Sequence, residues 1–390
     1  MKPGLLLVLA LVAPFAADYF HTNASLQNQL TITAVNKLKL PRQNETIELK
    51  ATDLAPLGEK DLMKLHVRDS SGKEIVCQAV DTDYDDYHKP DLLIFQADFA
   101  PNETRTFVVT AGPKREYKKE DFRAYGRFVR ERFDDFAWEN DRIAHRTYGK
   151  ALIAWKGEPL TSSSIDIWSK RTERLVINDW YMVDNYHNDM GEGVDAYSAG
   201  PTRGCGGNGV WGNEQLYVPT NFIDSRVLSN GPIRVLFELV YEPFDVNGVK
   251  VSEVMRVSLD AGSQLNRFRV SYQPQGNSDS LATAVGLKKV KEEQKHFNAA
   301  RGWLTIWEPM EKNLGMQGLA IVTDPRAVDK LVEDKLNHLV VLKPGINAPV
   351  TYWTGFAWDR AGKITSAEAW RTYVDQFVER LNSPLEITIK

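Results

Sequence analysis

The sequence predicts an all-β protein with a few helices, in which an N-terminal β-sandwich portion precedes a larger system of antiparallel strands. Three observations carry this reading. Short runs rich in β-branched residues alternate with turn residues through the first part of the chain. Longer strand-like runs with aromatic ends follow between residues 233 and 272. Only one segment, close to the C-terminus, has a strongly marked helical period.

Residues 1–17 read as an export signal. Lys2 supplies a positive start, Leu5 to Val12 is an uncharged apolar run, and Ala13-Pro14-Phe15-Ala16-Ala17 offers small residues for cleavage near Ala17. The apolar run is too short to span a bilayer, and no later segment is apolar enough to do so. The expected location is the periplasm or the exterior.

Residues 18–112 are expected to form the sandwich portion. Leu30 to Val35 and Thr46 to Leu49 are strands, and Leu65 to Asp69 turns through Ser70-Ser71-Gly72-Lys73 into Glu74 to Gln78 as a hairpin. Asp91 to Gln96 and Thr104 to Val109 form a second expected pair, joined by Pro101-Asn102. Lys114 to Asp121 is charged and reads as a linker. Residues 122–390 then carry the main strands, Ile233 to Tyr241, Val249 to Leu259 and Asn266 to Tyr272. The two portions can form one continuous domain, since large β-sandwiches reach this length as single units.

Near the end, Thr365 and Glu368 make a capping box ahead of the stripe Trp370, Tyr373, Phe377, Val378 and Leu381. Asn382-Ser383-Pro384 stops that helix, and Leu385 to Ile389 returns as a strand. A second short helix is expected at Pro325 to Lys335.

Composition narrows the function classes. The 48 Lys and Arg residues against 52 Asp and Glu leave a net charge of −4, without a long basic patch, which argues against a nucleic-acid partner. The two cysteines, Cys77 and Cys205, are compatible with a bridge or with two free thiols. Ten Trp and 14 Tyr residues provide flat faces of the kind that stack on sugar rings, although most aromatics in any protein are core.

Two segments break the core-strand pattern. Phe136 to Gly149 crowds Glu139, Asp141, Arg142, His145 and Arg146 around Trp138 and Tyr148. Guanidinium and carboxylate groups bind sugar hydroxyls and carboxylates, and Trp138 offers a stacking face; a surface strand could carry the same groups with no such role. Trp180 to Gly207 is rich in glycine, acids and aromatics, and long loops of this composition usually serve function. His187, Asp189, Glu192 and Asp195 are candidate acid and base groups or ligands for a divalent ion. Its glycines would let backbone approach a bulky ligand. An ordered surface loop is the plainer alternative. Tyr352 to Asp359 is dense in aromatics, and Trp358 is a candidate wall of a cleft. Neither a Gly-x-Ser-x-Gly elbow nor a paired-cysteine motif occurs.

At these segments the chain resembles the bacterial secreted proteins grouped as domain of unknown function 4861, which are encoded among polysaccharide-utilisation genes. The matching blocks are Trp138-Glu139-Asn140-Asp141-Arg142-Ile143-Ala144 with Arg146-x-Tyr148-Gly149, and Tyr186-His187-x-Asp189-x-Gly191-x-Gly193-x-Asp195-x-Tyr197-x-x-Gly200. Gly355 to Trp358 is a weaker match, and Met190 and Arg203 depart from the pattern. The resemblance implies a β-supersandwich related to galactose-mutarotase-like and polysaccharide-lyase domains. It also implies carbohydrate metabolism and polysaccharide degradation: dehydration of a terminal uronic acid on ulvan-type oligosaccharides to a 4,5-unsaturated sugar. From the residues no cofactor is expected to be required, and a divalent metal ion is the one candidate.

Such a dehydratase, a lyase in class, needs a cation on the carboxylate, a base at C5 and an acid at the leaving hydroxyl. Arg142 is the first candidate for the carboxylate, with Arg146 and Arg203 as alternatives. His187 is the candidate base, because imidazole ordinarily titrates near neutral pH. Tyr197 is the candidate acid and Tyr148 its understudy. Asp189, Glu192 and Asp195 would orient His187 or hold an ion. A mutarotase-like epimerase and a non-catalytic carbohydrate-binding protein are the other readings.

Overall fold

A computed structural model describes residues 27–83, 89–157, 160–276, 281–345 and 349–390. The expected export signal lies outside the described residues. Among those described, no helix is long and apolar enough to cross a membrane.

The N-terminal portion is a sandwich of two antiparallel sheets. One joins Glu386–Ile389, Gln29–Val35, Thr104–Ala111, Leu65–Asp69 and Glu74–Ile75 in that order; the other joins Arg42–Lys50, Leu92–Phe99 and Cys77–Val80. Period-two alternation sends Leu30, Ile32 and Ala34 inward to meet Ile47, Leu49, Phe95 and Phe107. The expected pairing of the runs around Asp91 to Gln96 and Thr104 to Val109 is not made. Leu92–Phe99 and Thr104–Ala111 lie in different sheets, so the turn at Pro101-Asn102 crosses the sandwich. The last strand pairs with the first, Ile32 opposite Ile389, so residues from the far end of the chain complete this portion.

A buried glutamine fastens the sandwich portion to the rest. Gln78 Oε1 accepts from the N–H groups of Ile233 and Arg234 at 2.8 and 2.7 Å, and its amide donates to Arg234 O at 2.9 Å. Val80 and Ile94 pack there against Leu228, Ile233 and Leu236.

The larger portion is the β-supersandwich. An eight-stranded antiparallel sheet, centred on Arg234–Val246, Val249–Asp260, Leu265–Pro274 and Val350–Trp358, forms one layer. Two five-stranded sheets, one holding Asp135–Asn140 and Ile165–Lys170 and the other Cys205–Gly212 and Leu281–Lys288, form the second. They meet at a bridge between Ile165 and Gly204. One core draws on all three sheets, including Phe136, Ile167, Cys205, Met255, Val257, Phe268, Leu287, Ile306 and Phe356. Cys77 lies in the other core, and both thiols are free.

Helix Ala367–Asn382 packs on the outer face of the eight-stranded sheet through Trp370, Val374 and Val378. Its N-cap is Ser366, which accepts from Ala369 N, rather than Thr365. The expected helix at Pro325 to Lys335 is a single turn, Pro325–Ala327, followed by strand Val328–Glu333. Its β-branched Val328 and Val332 suit the edge of a sheet.

Candidate functional site

The pleat sorts the first candidate segment into two faces. Strands Asp135–Asn140, Ala144–Thr147 and Ile165–Lys170 are consecutive neighbours, and every residue of the three is buried. Phe136, Trp138 and His145 face the sandwich core. Ala137, Glu139, Ala144, Arg146, Asp166, Trp168 and Lys170 face outward, beneath helix Ile177–Val183 and the loop that follows it.

On the inner face Trp138 donates its indole N–H to Asn266 Oδ1 at 2.8 Å and stacks on His145, with ring centroids 5.2 Å apart. His145 Nε2 is 2.8 Å from the Asn266 amide and its Nδ1 is 3.2 Å from Asp166 O. Burial pulls this imidazole down to about 3, so it is neutral. Trp138 and His145 therefore do not reach a ligand, contrary to expectation: the alternation that buries Phe136 buries them too.

Outward, Glu139 and Lys170 form a fully buried ion pair at 2.6 Å. Glu139 Oε1 also accepts from Val176 N and Ile177 N at 2.7 and 2.8 Å, which pins the start of the covering helix. Glu139 is thus a structural anchor rather than a substrate group. Asp141 is similarly committed, accepting from Arg123 and, at 2.6 Å, from Gly262 N. Arg142 lies on the turn between strands and pairs with Glu173 at 2.7 Å. Neither joins His187.

Arg146 is the centre of the outward face. The antiparallel register puts it directly opposite Asp166. Its Nε is 2.8 Å from Asp166 Oδ2, one terminal nitrogen is 3.0 Å from Asp195 Oδ2, and the other is 3.9 Å from Asp135 Oδ2. The rings of Tyr148, Trp168 and Tyr186 surround the guanidinium at 5.7 to 5.8 Å. Burial would lower the Arg146 pKa, but Asp195 and Asp166 raise it well above its ordinary value. Burial pushes Asp135 up to about 7. Tyr148 donates to Asp166 Oδ2 at 3.0 Å, so its proton is engaged.

This network reaches solvent at His187. The imidazole Nδ1 is 3.1 Å from Asp195 O and 3.4 Å from Asp195 Oδ2, and the ring leans on Tyr186 with centroids 4.6 Å apart. Two oxygens thus face Nδ1, an arrangement that favours the tautomer with its proton on that nitrogen. The His187 side chain is 57% exposed, whereas Asp195 is 3% exposed. A buried Arg146–Asp195 pair thus presents an oriented imidazole to water. The two candidate segments do meet, but through Arg146 and Asp195 rather than through His145.

The remaining candidates divide. Tyr197 is buried, its hydroxyl has no hydrogen-bond partner among the described residues, and Lys288 Nζ stands 5.1 Å from its ring centroid. Burial, with Glu308 next, raises its pKa well above the ordinary value, so it keeps its proton. Arg203 is buried beside Ser163 Oγ at 3.1 Å, and burial lowers its pKa to about 10. Trp358 is buried with its indole N–H donated to Leu314 O at 2.8 Å; Arg171 covers its ring at 5.2 Å. Asp189 pairs with Arg171 and Glu192 with Arg174. These two carboxylates and Asp195 therefore turn to three separate arginines and do not converge. Among the described residues no group of three or more His, Cys, Asp or Glu side chains is placed to hold a metal ion.

Asp166 and Arg171 were not singled out from sequence. An acid in the apolar alternation Ile165-Asp166-Ile167-Trp168 was the signal for the first; Arg171 carries none. The loop glycines serve the fold: a Cβ on Gly193, at φ +140°, would lie 2.1 Å from Ser169 O, and one on Gly204 2.0 Å from Ile165 O. They let the loop approach neighbouring backbone rather than a ligand. Two clefts, of about 860 and 570 Å³, open away from His187; Glu139 and Asp141 line the larger and Arg142 the smaller. The larger is lined by Arg123, Tyr125, Asp141, Arg174 and Asn178, and neither is lined by His187.

Comparison with known proteins covers nearly the whole chain. Residues 35–387 match the family model described as Domain of unknown function (DUF4861). A protein of Formosa agariphila described as "Uncharacterized protein P7" is 33% identical over 374 residues, covering 92% of this chain and 93% of that protein. Among solved structures, an alpha-mannosidase from Enterococcus faecalis V583 superposes with a TM-score of 0.53 at 12% identity, over 95% of this chain and 47% of that one. A glycosyl hydrolase family 38 protein from Enterococcus faecalis gives 0.53 and 12% over 94% and 48%. The chain spans about half the length of these two neighbours, and at such identity the likeness concerns fold alone. The sequence match is of another order, and by it the chain belongs to the DUF4861 family.

Proposed function

We propose that this chain is an exported carbohydrate-active enzyme that removes water from a terminal uronate of an oligosaccharide, leaving a 4,5-unsaturated sugar. The observation that carries the reading is the held imidazole of His187, with Nδ1 against Asp195 and most of its side chain in solvent. Membership of the DUF4861 family, whose resemblance implies dehydration of uronates, supports it. Residues 1–17 would direct the protein to the periplasm or the exterior.

In this reading Nε2 of His187 takes the C5 proton. The C5–H electron pair becomes the C4=C5 double bond, the C4–O bond breaks, and the hydroxyl leaves as water with a proton from solvent, the Tyr197 hydroxyl being buried. Arg171, exposed over Trp358 and paired with Asp189 two residues from His187, is the cation that exchanges its partner for the substrate carboxylate. Arg142, Arg146 and Arg203 are committed elsewhere. Asp195 keeps His187 in one tautomer and is itself fixed by Arg146.

The test is incubation with uronate-terminated oligosaccharides, followed by mass spectrometry and ultraviolet absorbance. Loss of one water with growth of the unsaturated-uronate band is expected, and His187→Ala should abolish both without changing thermal stability. Unchanged turnover in that variant sinks the assignment. A second reading, non-catalytic carbohydrate binding, is favoured by the position of both clefts away from His187; binding with no mass change would support it.

A further inference from the structure

The cleft of about 570 Å³ lies where the N-terminal sandwich, the outer face of the eight-stranded sheet and helix Ala367–Asn382 come together. Five cationic side chains line it against three carboxylates. Three of the cations are paired: Arg234 with Asp260 and Glu48, and Arg142 and Lys363 with Glu173. Arg267 and Arg380 have no hydrogen-bond or ion-pair partner among the described residues.

Local structure explains why both cations stand free. Arg267 alternates outward on strand Leu265–Pro274, with Phe268 turned to the core, and its cross-strand neighbours are Ser258 and Trp353, neither an acid. Partial burial keeps its pKa below the ordinary value; the charges of Glu48 and Asp260 act against that, and those of Arg234 and Arg269 with it. Arg380 sits on the helix over the rings of Tyr373 and Phe377, at 5.9 and 5.8 Å from their centroids. Phe377 meets Trp353 edge-on, with centroids 6.2 Å apart. Aromatic faces and two unpaired guanidiniums therefore border one concave surface. The Gln376 amide in the same lining has no hydrogen-bond partner among the described residues.

We propose that this cleft is a second, non-catalytic site that binds an acidic sugar unit of an oligosaccharide, with Arg267 and Arg380 on its anionic group and Trp353 and Phe377 against its ring. Guanidiniums pair with the planar carboxylate or the sulfate, aromatic faces cover the apolar side of the pyranose, and an amide serves its hydroxyls. Carboxylate-bearing and sulfate-bearing sugars share this chemistry. The site shares no lining residue with the His187 network, and its lining comes chiefly from the eight-stranded sheet, the helix and the N-terminal sandwich. It gives an oligosaccharide a hold independent of the bond being changed.

Calorimetric titration of the full chain tests this, with three probes: a short oligogalacturonate, a sulfated galactan oligomer and a neutral galacto-oligosaccharide. The expected result is binding of one or both anionic probes, weakened by salt, with no binding of the neutral one. Which anionic probe binds more tightly identifies the group recognised. Arg267→Ala and Arg380→Ala should each weaken binding about tenfold, the size of one lost charge-assisted hydrogen bond. Both side chains lie at the surface, and unchanged circular dichroism and melting temperature confirm the fold. His187→Ala should bind as the native chain does. Native affinity in the double arginine variant, or equal affinity for the neutral probe, overturns the proposal. Binding lost in His187→Ala but kept in the arginine variants also overturns it, and leaves the His187 reading standing. Failure of water elimination with intact arginine-dependent binding sinks that reading and leaves this one.

Discussion

Replacing Lys170 by Met removes one half of an ion pair whose two side chains are both fully buried and 2.6 Å apart. The ammonium also donates to Asn140 O at 2.7 Å, so a backbone acceptor loses its donor as well. What remains is the Glu139 carboxylate, held on one oxygen by Val176 N and Ile177 N and facing hydrocarbon on the other. Removing one partner of a buried pair costs about 3–5 kcal/mol, a large part of the ~5–15 kcal/mol that holds a typical domain. The double variant Glu139→Gln/Lys170→Met keeps an oxygen for the two N–H groups and leaves no unpaired charge. Its cost should fall short of the sum of the single costs by about 2 kcal/mol or more. Urea unfolding followed by tryptophan fluorescence and far-ultraviolet circular dichroism measures all four species. A single-variant loss below about 1 kcal/mol, or strict additivity in the double variant, would refute the reasoning that this pair anchors the covering helix.

Other outcomes follow from the same geometry. Asp195→Asn should lower kcat/KM of the proposed reaction about a hundredfold and stability by roughly 1–3 kcal/mol, because it frees the His187 tautomer and takes a charge from Arg146; an effect on stability alone would deny the orienting role. Burial pushes Glu308 from 4.5 up to about 8. The folded state therefore keeps a proton that the unfolded chain has already lost, so this group's contribution falls as pH rises through that window. Relative to Glu308→Gln, native stability should decline between pH 5 and 8 by up to several kcal/mol, a difference from which the opposite contribution of His145 cancels. Urea unfolding at both pH values checks it, and a constant difference contradicts it.

The sequence by itself determined the all-β class, most strand positions and the family, because alternation and turn chemistry are local and the motif blocks are contiguous. It also marked two stretches, residues 136–149 and 180–207, that the fold brings together through Arg146 and Asp195. Which of their side chains meet one another was not legible. Trp138 and Arg146 have the same standing as letters, but a strand pleat sends one into the core and the other outward, and register alone sets Arg146 against Asp166. The strand that crosses at Pro101-Asn102, the last strand that returns to the first, and the gathering of Arg267 and Arg380 on one cleft are all contacts between segments far apart in the chain. Only tertiary structure decided these, since burial, ion pairing and exposure depend on what the rest of the fold lays over each side chain.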